Sequence, residues 1–332
     1  MKYTLIIITI TFYFSQLTKV NALNGNVNKV EEIRSRVKRQ IYGGRKAEDA
    51  THLPHLVYLR RNGWIKPSWL PSLIHHLPFI GNWFAAPFHC GGVIIHKRFV
   101  LTASHCIIGD AKSEVKRLEV VAGTSQLKRP HAEDAEAYAV EAIVVYTAPG
   151  RLYLGGDIAL IRIKKHFEYG PDVARAKLPP PNYKVAPNTW VTVGGWGVTE
   201  AANDPLDLHY FHTRVAHMQV CQAAWKAFIK AKYPLNSAGI NFDKIIEQHT
   251  MMCVQGRQGQ GVCSGDSGSG ALTSDGYVLG IVSFGATPCG NSHIIPDVMS
   301  YVPHYVPWIK EQMVAMIKQS TTNEVSPSTS NQ

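Results

Sequence analysis

Short apolar runs rich in β-branched side chains recur from residue 52 onward, with Gly, Pro, Asn and Asp between them. His52-Leu53-Pro54-His55-Leu56-Val57-Tyr58-Leu59 reads as a strand entered from a turn. Val93-Ile94-Ile95, Phe99-Val100-Leu101-Thr102, Val120-Val121-Ala122, Ala142-Ile143-Val144-Val145, Val191-Thr192-Val193 and Val278-Leu279-Gly280-Ile281-Val282 each predict a further strand. Many short strands over this length suit two packed β-barrels and an all-β fold. One stretch departs from the strand period. Ile309, Met313, Met316 and Ile317 form an i, i+4, i+7, i+8 stripe, which predicts one amphipathic helix near the C-terminus. No internal repeat shows.

The two ends and one internal stretch break the pattern. Lys2, an apolar core from Leu5 to Phe14 and the small-residue site Val20-Asn21-Ala22 mark residues 1–22 as a secretory signal. The apolar run is too short to span a bilayer, and no second candidate span appears. Residues 23–40 are polar and aperiodic and read as a propeptide ending in Arg36-Val37-Lys38-Arg39-Gln40, while 319–332 is Ser/Thr/Asn-rich and reads as a disordered tail. Between the first two strands, residues 62–88 are crowded with aromatics, including Trp64, Trp69, Phe79, Trp83 and Phe84, and punctuated by prolines. Such an insertion can fold back and cover its own apolar side chains, or it can border a binding cleft.

Charge narrows the function classes. The formal net charge of +10 suggests nucleic acid until it is located: residues 1–40 hold seven Lys or Arg against two Glu, leaving 27 against 22 in the rest. No basic run in the body is interleaved with aromatics, so a nucleic-acid partner is not expected. Histidines at 75–76 and at 52 and 55 lack metal-ligand spacing, and no metal or other cofactor is expected. An exported chain can form disulfides, and its six cysteines at 90, 106, 221, 253, 263 and 289 leave fifteen pairings open.

Cys263-Ser264-Gly265-Asp266-Ser267-Gly268-Ser269-Gly270 is a glycine-flanked turn whose uncovered amides can converge beside a hydroxyl. A serine nucleophile needs a base and a group that orients the base. Val100-Leu101-Thr102-Ala103-Ser104-His105-Cys106 and Gly156-Asp157-Ile158-Ala159-Leu160-Ile161-Arg162 supply both residue types upstream. In this order the three segments closely resemble the chymotrypsin-like, S1-family serine endopeptidases, and the likeness covers about Ile41 to Lys318. The resemblance implies two packed six-stranded antiparallel β-barrels with a C-terminal α-helix, in a protease domain at 41–318. It implies Ser267 as nucleophile, His105 as base and then acid, Asp157 as the group holding the imidazole, and the amides of Gly265 and Ser267 as the oxyanion hole. It also pairs Cys90 with Cys106, Cys221 with Cys253 and Cys263 with Cys289.

The resemblance carries a zymogen with it. Ile41-Tyr42-Gly43-Gly44 is similar to the family's mature N-terminus, whose freed ammonium pairs with the aspartate before the nucleophile, here Asp266. Gln40 intervenes between the basic site and Ile41, so the cut falls after Gln40, or trimming follows a cut after Arg39, or the longer end is accepted. The family's pocket floor corresponds to Gly261 and Val262, with no aspartate there to select Lys or Arg, and the wall to Ser283, Phe284 and Gly285. Asp297 either enters that pocket from the side or faces solvent. The chain is therefore expected to be a secreted, extracellular, monomeric endopeptidase of chymotrypsin-like or broad preference. Its expected partners are protein or peptide substrates, an activating protease and protein inhibitors. Ser269-Gly270, where the family usually has Gly-Pro, leaves one alternative: a catalytically silent homologue acting as an extracellular binding protein.

Overall fold

Strand pairing sorts the β-branched runs into two closed rings. The computed structural model describes residues 43–61, 88–107, 111–127, 136–146, 156–181, 183–199, 207–232 and 245–324. All of them belong to one of the chain's two units, Arg39–Gln332. The expected signal, the propeptide, Ile41 and the insertion at 62–88, apart from Phe88, lie outside the described residues.

In chain order the elements are β1 (Arg45–Lys46), β2 (Leu56–Arg61), β3 (Phe88–His96), β4 (Phe99–Thr102), α1 (Ala111–Val115), β5 (Leu118–Ala122), β6 (Glu136–Val145), β7 (Ala159–Ile163), β8 (Trp190–Gly195), β9 (His209–Val215), α2 (Met218–Lys232), β10 (Met251–Gln255), β11 (Gly270–Leu272), β12 (Val278–Phe284), β13 (Asp297–Tyr301) and α3 (Val302–Glu324). The first barrel closes as β2-β3-β4-β7-β6-β5. The second runs β9-β10-β13-β12-β11-β8 and is closed by pairing of β8 with β9, with β1 added to β9 as a seventh strand. All pairings between these strands are antiparallel, and closure leaves each barrel without a free edge of its own.

Part of the core is common to both barrels, beside a separate cluster inside the second barrel that includes Val191, Phe211, Val254 and Leu279. Leu272, Val278 and Ile281 of the second barrel pack in the same cluster as Val57, Val93, Leu101 and Leu160 of the first. The ring of Trp196 meets Tyr58 edge-on at 5.4 Å. Helix α3 docks on this core through Tyr305 and Trp308, which lie edge-on to Tyr146 at 5.0 and 5.3 Å. The Arg162 guanidinium also donates to the carbonyl of Met316. The helix begins before Pro307 and runs past Lys318 to Glu324, beyond the expected boundary. Helix α2 was not predicted; Cys221 and Trp225 bury one side of it, and Cys221 is joined to Cys253 on β10.

A buried ion pair supports the segment after His105. Arg61 Nε lies 2.9 Å from Glu114 Oε2 on α1, with side chains 5% and 4% exposed. Its Nη2 donates to the carbonyl of Cys106 at 3.2 Å. Removing one partner of such a pair strands a charge in the interior, at a cost of about 3–5 kcal/mol. Glu114→Leu is expected to lower unfolding free energy by about that much in urea titrations, and adding Arg61→Met to restore most of it. Additive losses in the double variant would show that the charges are not coupled.

Candidate active site

Each barrel contributes one half of the site. From the first, β4 ends in a 3₁₀ turn at Ser104–Cys106 that carries His105, and Asp157 immediately precedes the strand run into β7. Gly156 before it has φ +105°, and a Cβ there would lie 2.5 Å from the Tyr146 ring, so glycine permits the tight approach. From the second barrel, the turn before β11 carries Ser267.

The Asp157 carboxylate gathers this half together. His105 Nδ1 lies 2.7 Å from Oδ2, the His105 backbone N–H donates to Oδ1 at 3.0 Å, and Ser104 Oγ donates to Oδ1 at 2.8 Å. Across the barrel boundary Ser283 Oγ donates to Oδ2 at 2.5 Å, and Ser300 Oγ donates to the Asp157 carbonyl at 2.6 Å. Burial by itself raises the Asp157 pKa; the hydrogen bond and charge of His105, with the bonds from Ser283 and the His105 amide, outweigh it and hold the carboxyl at about 2. It is therefore ionised at neutral pH.

Ser267 and His105 hang from adjacent residues of β3. Cys90 is disulfide-bonded to Cys106, beside His105, while the Gly91 N–H donates to the Ser267 carbonyl at 2.7 Å. Gly268 has φ +83°, and a Cβ there would lie 2.3 Å from the Gly91 carbonyl oxygen, which explains the glycine after the serine. Cys263 pairs with Cys289 at the other end of the turn. The amides of Gly265 and Ser267 donate to no acceptor among the described residues, and the Ser267 hydroxyl bonds to none of them. Two such amides beside a hydroxyl can receive a developing oxyanion, and a hydroxyl, an imidazole and a carboxylate of this kind can carry out acyl transfer.

Comparison with known proteins agrees with the geometry. A family model described as Trypsin matches residues 72–309. The chain belongs to the trypsin family of serine proteases. Chymotrypsin-2 of the hornet Vespa crabro is 31% identical over 69% of this chain and 91% of its own length. The CLIP domain-containing serine protease B4 of Anopheles gambiae is 30% identical over 68% of this chain, which spans 62% of that relative's length. Human heparin binding protein has the same fold, with a TM-score of 0.58 at 21% identity over 81% of this chain and 95% of its own.

In this trypsin-family chain Asp266 is buried, accepting from the Gly197 N–H at 2.8 Å and the Cys263 N–H at 2.9 Å. A Cβ on Gly195 or Gly197 would lie 2.3 or 2.5 Å from its carboxyl group, so both glycines make room for it. Burial outweighs the two amide bonds and raises its pKa to about 6. No cation pairs with it among the described residues.

Asp297 does not face solvent: it is 2% exposed. Its Oδ2 accepts from the Val262 N–H at 2.9 Å, and Cβ atoms built on Gly261 and Gly285 would lie 3.3 and 2.7 Å from its carboxyl oxygens. Gly261, Val262, Gly285 and Asp297 are thus neighbours. Burial first, and the nearby Asp266 charge in addition, push its carboxyl well above the usual range against the bond from Val262. Two residues expected only as pocket wall have other attachments. Ser283 engages Asp157, and the Phe284 ring lies edge-on to Trp225 at 5.1 Å, while Trp225 Nε1 donates to the Pro296 carbonyl. Ser104 and Ser300 were not anticipated. Ser104 adjoins His105 in sequence, whereas Ser300 reaches Asp157 from 143 residues away and left no local signal.

Proposed function

We propose that the chain is a secreted serine endopeptidase, made as a zymogen, that hydrolyses peptide bonds through an acyl-enzyme. Ser267 attacks the scissile carbonyl as His105 takes its proton, the amides of Gly265 and Ser267 receive the oxyanion, and His105 returns the proton to the leaving amine. The observation that carries this reading is the Asp157 carboxylate at the boundary of the two barrels, within hydrogen-bond reach of His105 and Ser283. Two bonds to His105 and one from Ser283 of the opposite barrel fix the imidazole with Nδ1 as donor, leaving Nε2 free to act as base. Chain cut before Ile41 and incubated with an activated ester such as p-nitrophenyl acetate should give a burst of p-nitrophenol equal to the enzyme present, followed by slower turnover. Hydrolysis without a burst and without sensitivity to serine-directed reagents would count against the mechanism.

Activation is read from Asp266. A carboxyl whose folded pKa, at about 6, lies above its ordinary 3.8 contributes stability that is complete below about pH 4 and lost as pH rises through 6. At neutral pH this corresponds to about 3 kcal/mol against the folded form. An ammonium freed at Ile41 would offset it by pairing with the ionised group. Uncut chain should therefore lose about 3 kcal/mol of unfolding free energy between pH 4 and 8, relative to chain cut before Ile41. Parallel pH profiles would remove Asp266 from the activation mechanism.

Specificity rests on Asp297. Buried beside Gly261, Val262 and Gly285, with burial pushing its carboxyl pKa up, it leaves room for large apolar side chains; a Lys or Arg entering the pocket would favour its ionised form and pair with it. The hornet relative bears the name of a chymotrypsin, which fits the apolar half of this preference. Asp297→Asn keeps the shape and removes the charge. Cleavage after Lys or Arg should fall about 30-fold or more, with Phe and Tyr cleavage changed by less than about threefold. Equal loss on both would reject the pocket role.

A further inference from the structure

A cavity of about 400 Å³ lies between the segment Gly43–Arg45, the β8–β9 pair and the turn Arg257–Gln260, and none of the residues assigned to catalysis lines it. Its walls combine two chemistries. Trp190, half exposed, and Tyr210 supply aromatic surface, while Arg45, Arg257 and His212 supply basic groups, with Thr192 Oγ1 2.9 Å from His212 Nδ1. A third guanidinium, Arg214, stands 4.1 Å over the Trp190 ring. Among the described residues, no carboxylate lines the cavity.

These guanidiniums are uncompensated among the described residues. Among the described residues, no carboxylate pairs with Arg45, Arg214 or Arg257, whereas the adjacent Lys46 is matched by Asp207 at 2.7 Å. Cations gathered beside aromatic faces without counter-charge form a field that favours an anion. The walls are also fixed in place. Gln260 Nε2 donates to the Gly43 carbonyl at 2.9 Å, its Oε1 accepts from the Arg257 N–H at 3.0 Å, and its carbonyl accepts from Ser292 Oγ at 2.6 Å. Gly43 has φ +76°, and a Cβ there would lie 2.3 Å from the Gly259 carbonyl oxygen, so the two walls approach as closely as backbone allows. The excess of basic residues in the body of the chain is thus partly concentrated at one preformed concavity.

We propose that this cavity binds an aromatic ring bearing a sulfate or phosphate ester, as on a modified tyrosine side chain. The ring would lie against Trp190 and Tyr210, and the tetrahedral oxyanion would accept from Arg45 and Arg257, whose planar donor forks match it. The volume admits one such group, and the missing carboxylates favour an anion over a cation or a neutral sugar.

Calorimetric titration of the full chain with p-tolyl sulfate, phenyl phosphate, p-cresol and inorganic sulfate tests this. At least one aryl ester should bind at a single site about tenfold or more tighter than p-cresol or inorganic sulfate. The tighter of the two esters identifies a sulfated or a phosphorylated source. The double variant Arg45→Ala/Arg257→Ala should weaken that binding about tenfold or more, and Trp190→Ala, which leaves the arginines in place, should do the same. Thermal melting of each variant checks the fold independently. Absence of aryl-ester binding, equal binding of inorganic sulfate, or binding unchanged in folded variants would each overturn the proposal.

Discussion

Ser267→Ala is expected to lower peptide-bond hydrolysis by about a million-fold and to abolish labelling by a fluorophosphonate. The hydroxyl is the only group lost. The Gly91 bond to the residue 267 carbonyl, the Gly268 bond to Val282 and the Cys263–Cys289 bridge all involve backbone or other residues, so the turn keeps its shape. The amides of residues 265 and 267 also remain, and their hold on an oxyanion accounts for residual activity of about a thousandfold over water. Wild-type and variant chains should therefore share a melting temperature and differ only in chemistry. An unlabelled wild-type chain, cut at Ile41 and no more active than the variant, would leave the silent-homologue reading standing.

The Ser267 turn was legible because its chemistry is local. Gly265 and Gly268 both have positive φ, and glycine is the residue that such a turn demands. Most strands were legible for the same reason: Phe99–Thr102 and Val278–Val282 are buried throughout, so their apolar runs are unbroken. Strand β9 was not. Its sequence His-Tyr-Phe-His-Thr-Arg-Val places His209 and Thr213 among its inward positions, and a buried polar residue erases the alternation that marks a strand. Helix α2 left a stripe at Cys221, Trp225 and Phe228, but lysines and alanines dilute it.

What surrounds Asp157 was illegible in a different way. Ser283 and Ser300 are ordinary strand residues until barrel closure brings β12 and β13 against the end of β7, and no spacing in the chain encodes that meeting. Asp297 posed the same difficulty. Whether it faced solvent or the pocket depended on the register of β13 against β10, where Asp297 stands opposite Val254.

Those nonlocal donors decide what Asp157→Asn would do. The substituted amide has one acceptor oxygen and one NH₂ group. The His105 backbone N–H, 3.0 Å from Oδ1, can only donate, so the oxygen must take that side and the NH₂ must face His105 Nδ1 and Ser283. Nδ1 then becomes an acceptor, and the imidazole proton moves to Nε2. That is the nitrogen required to take the Ser267 proton, so the base is held in the wrong tautomer without any displacement of the ring. kcat should fall about 10⁴-fold at neutral pH, with KM little changed. Ser283→Ala removes only one donor to a carboxylate that retains three others, and should reduce kcat about tenfold. The ratio of the two effects is the informative quantity. If Asp157→Asn reduced kcat no more than Ser283→Ala, the carboxylate would be a structural anchor for the His105 turn, and another group would have to orient the base.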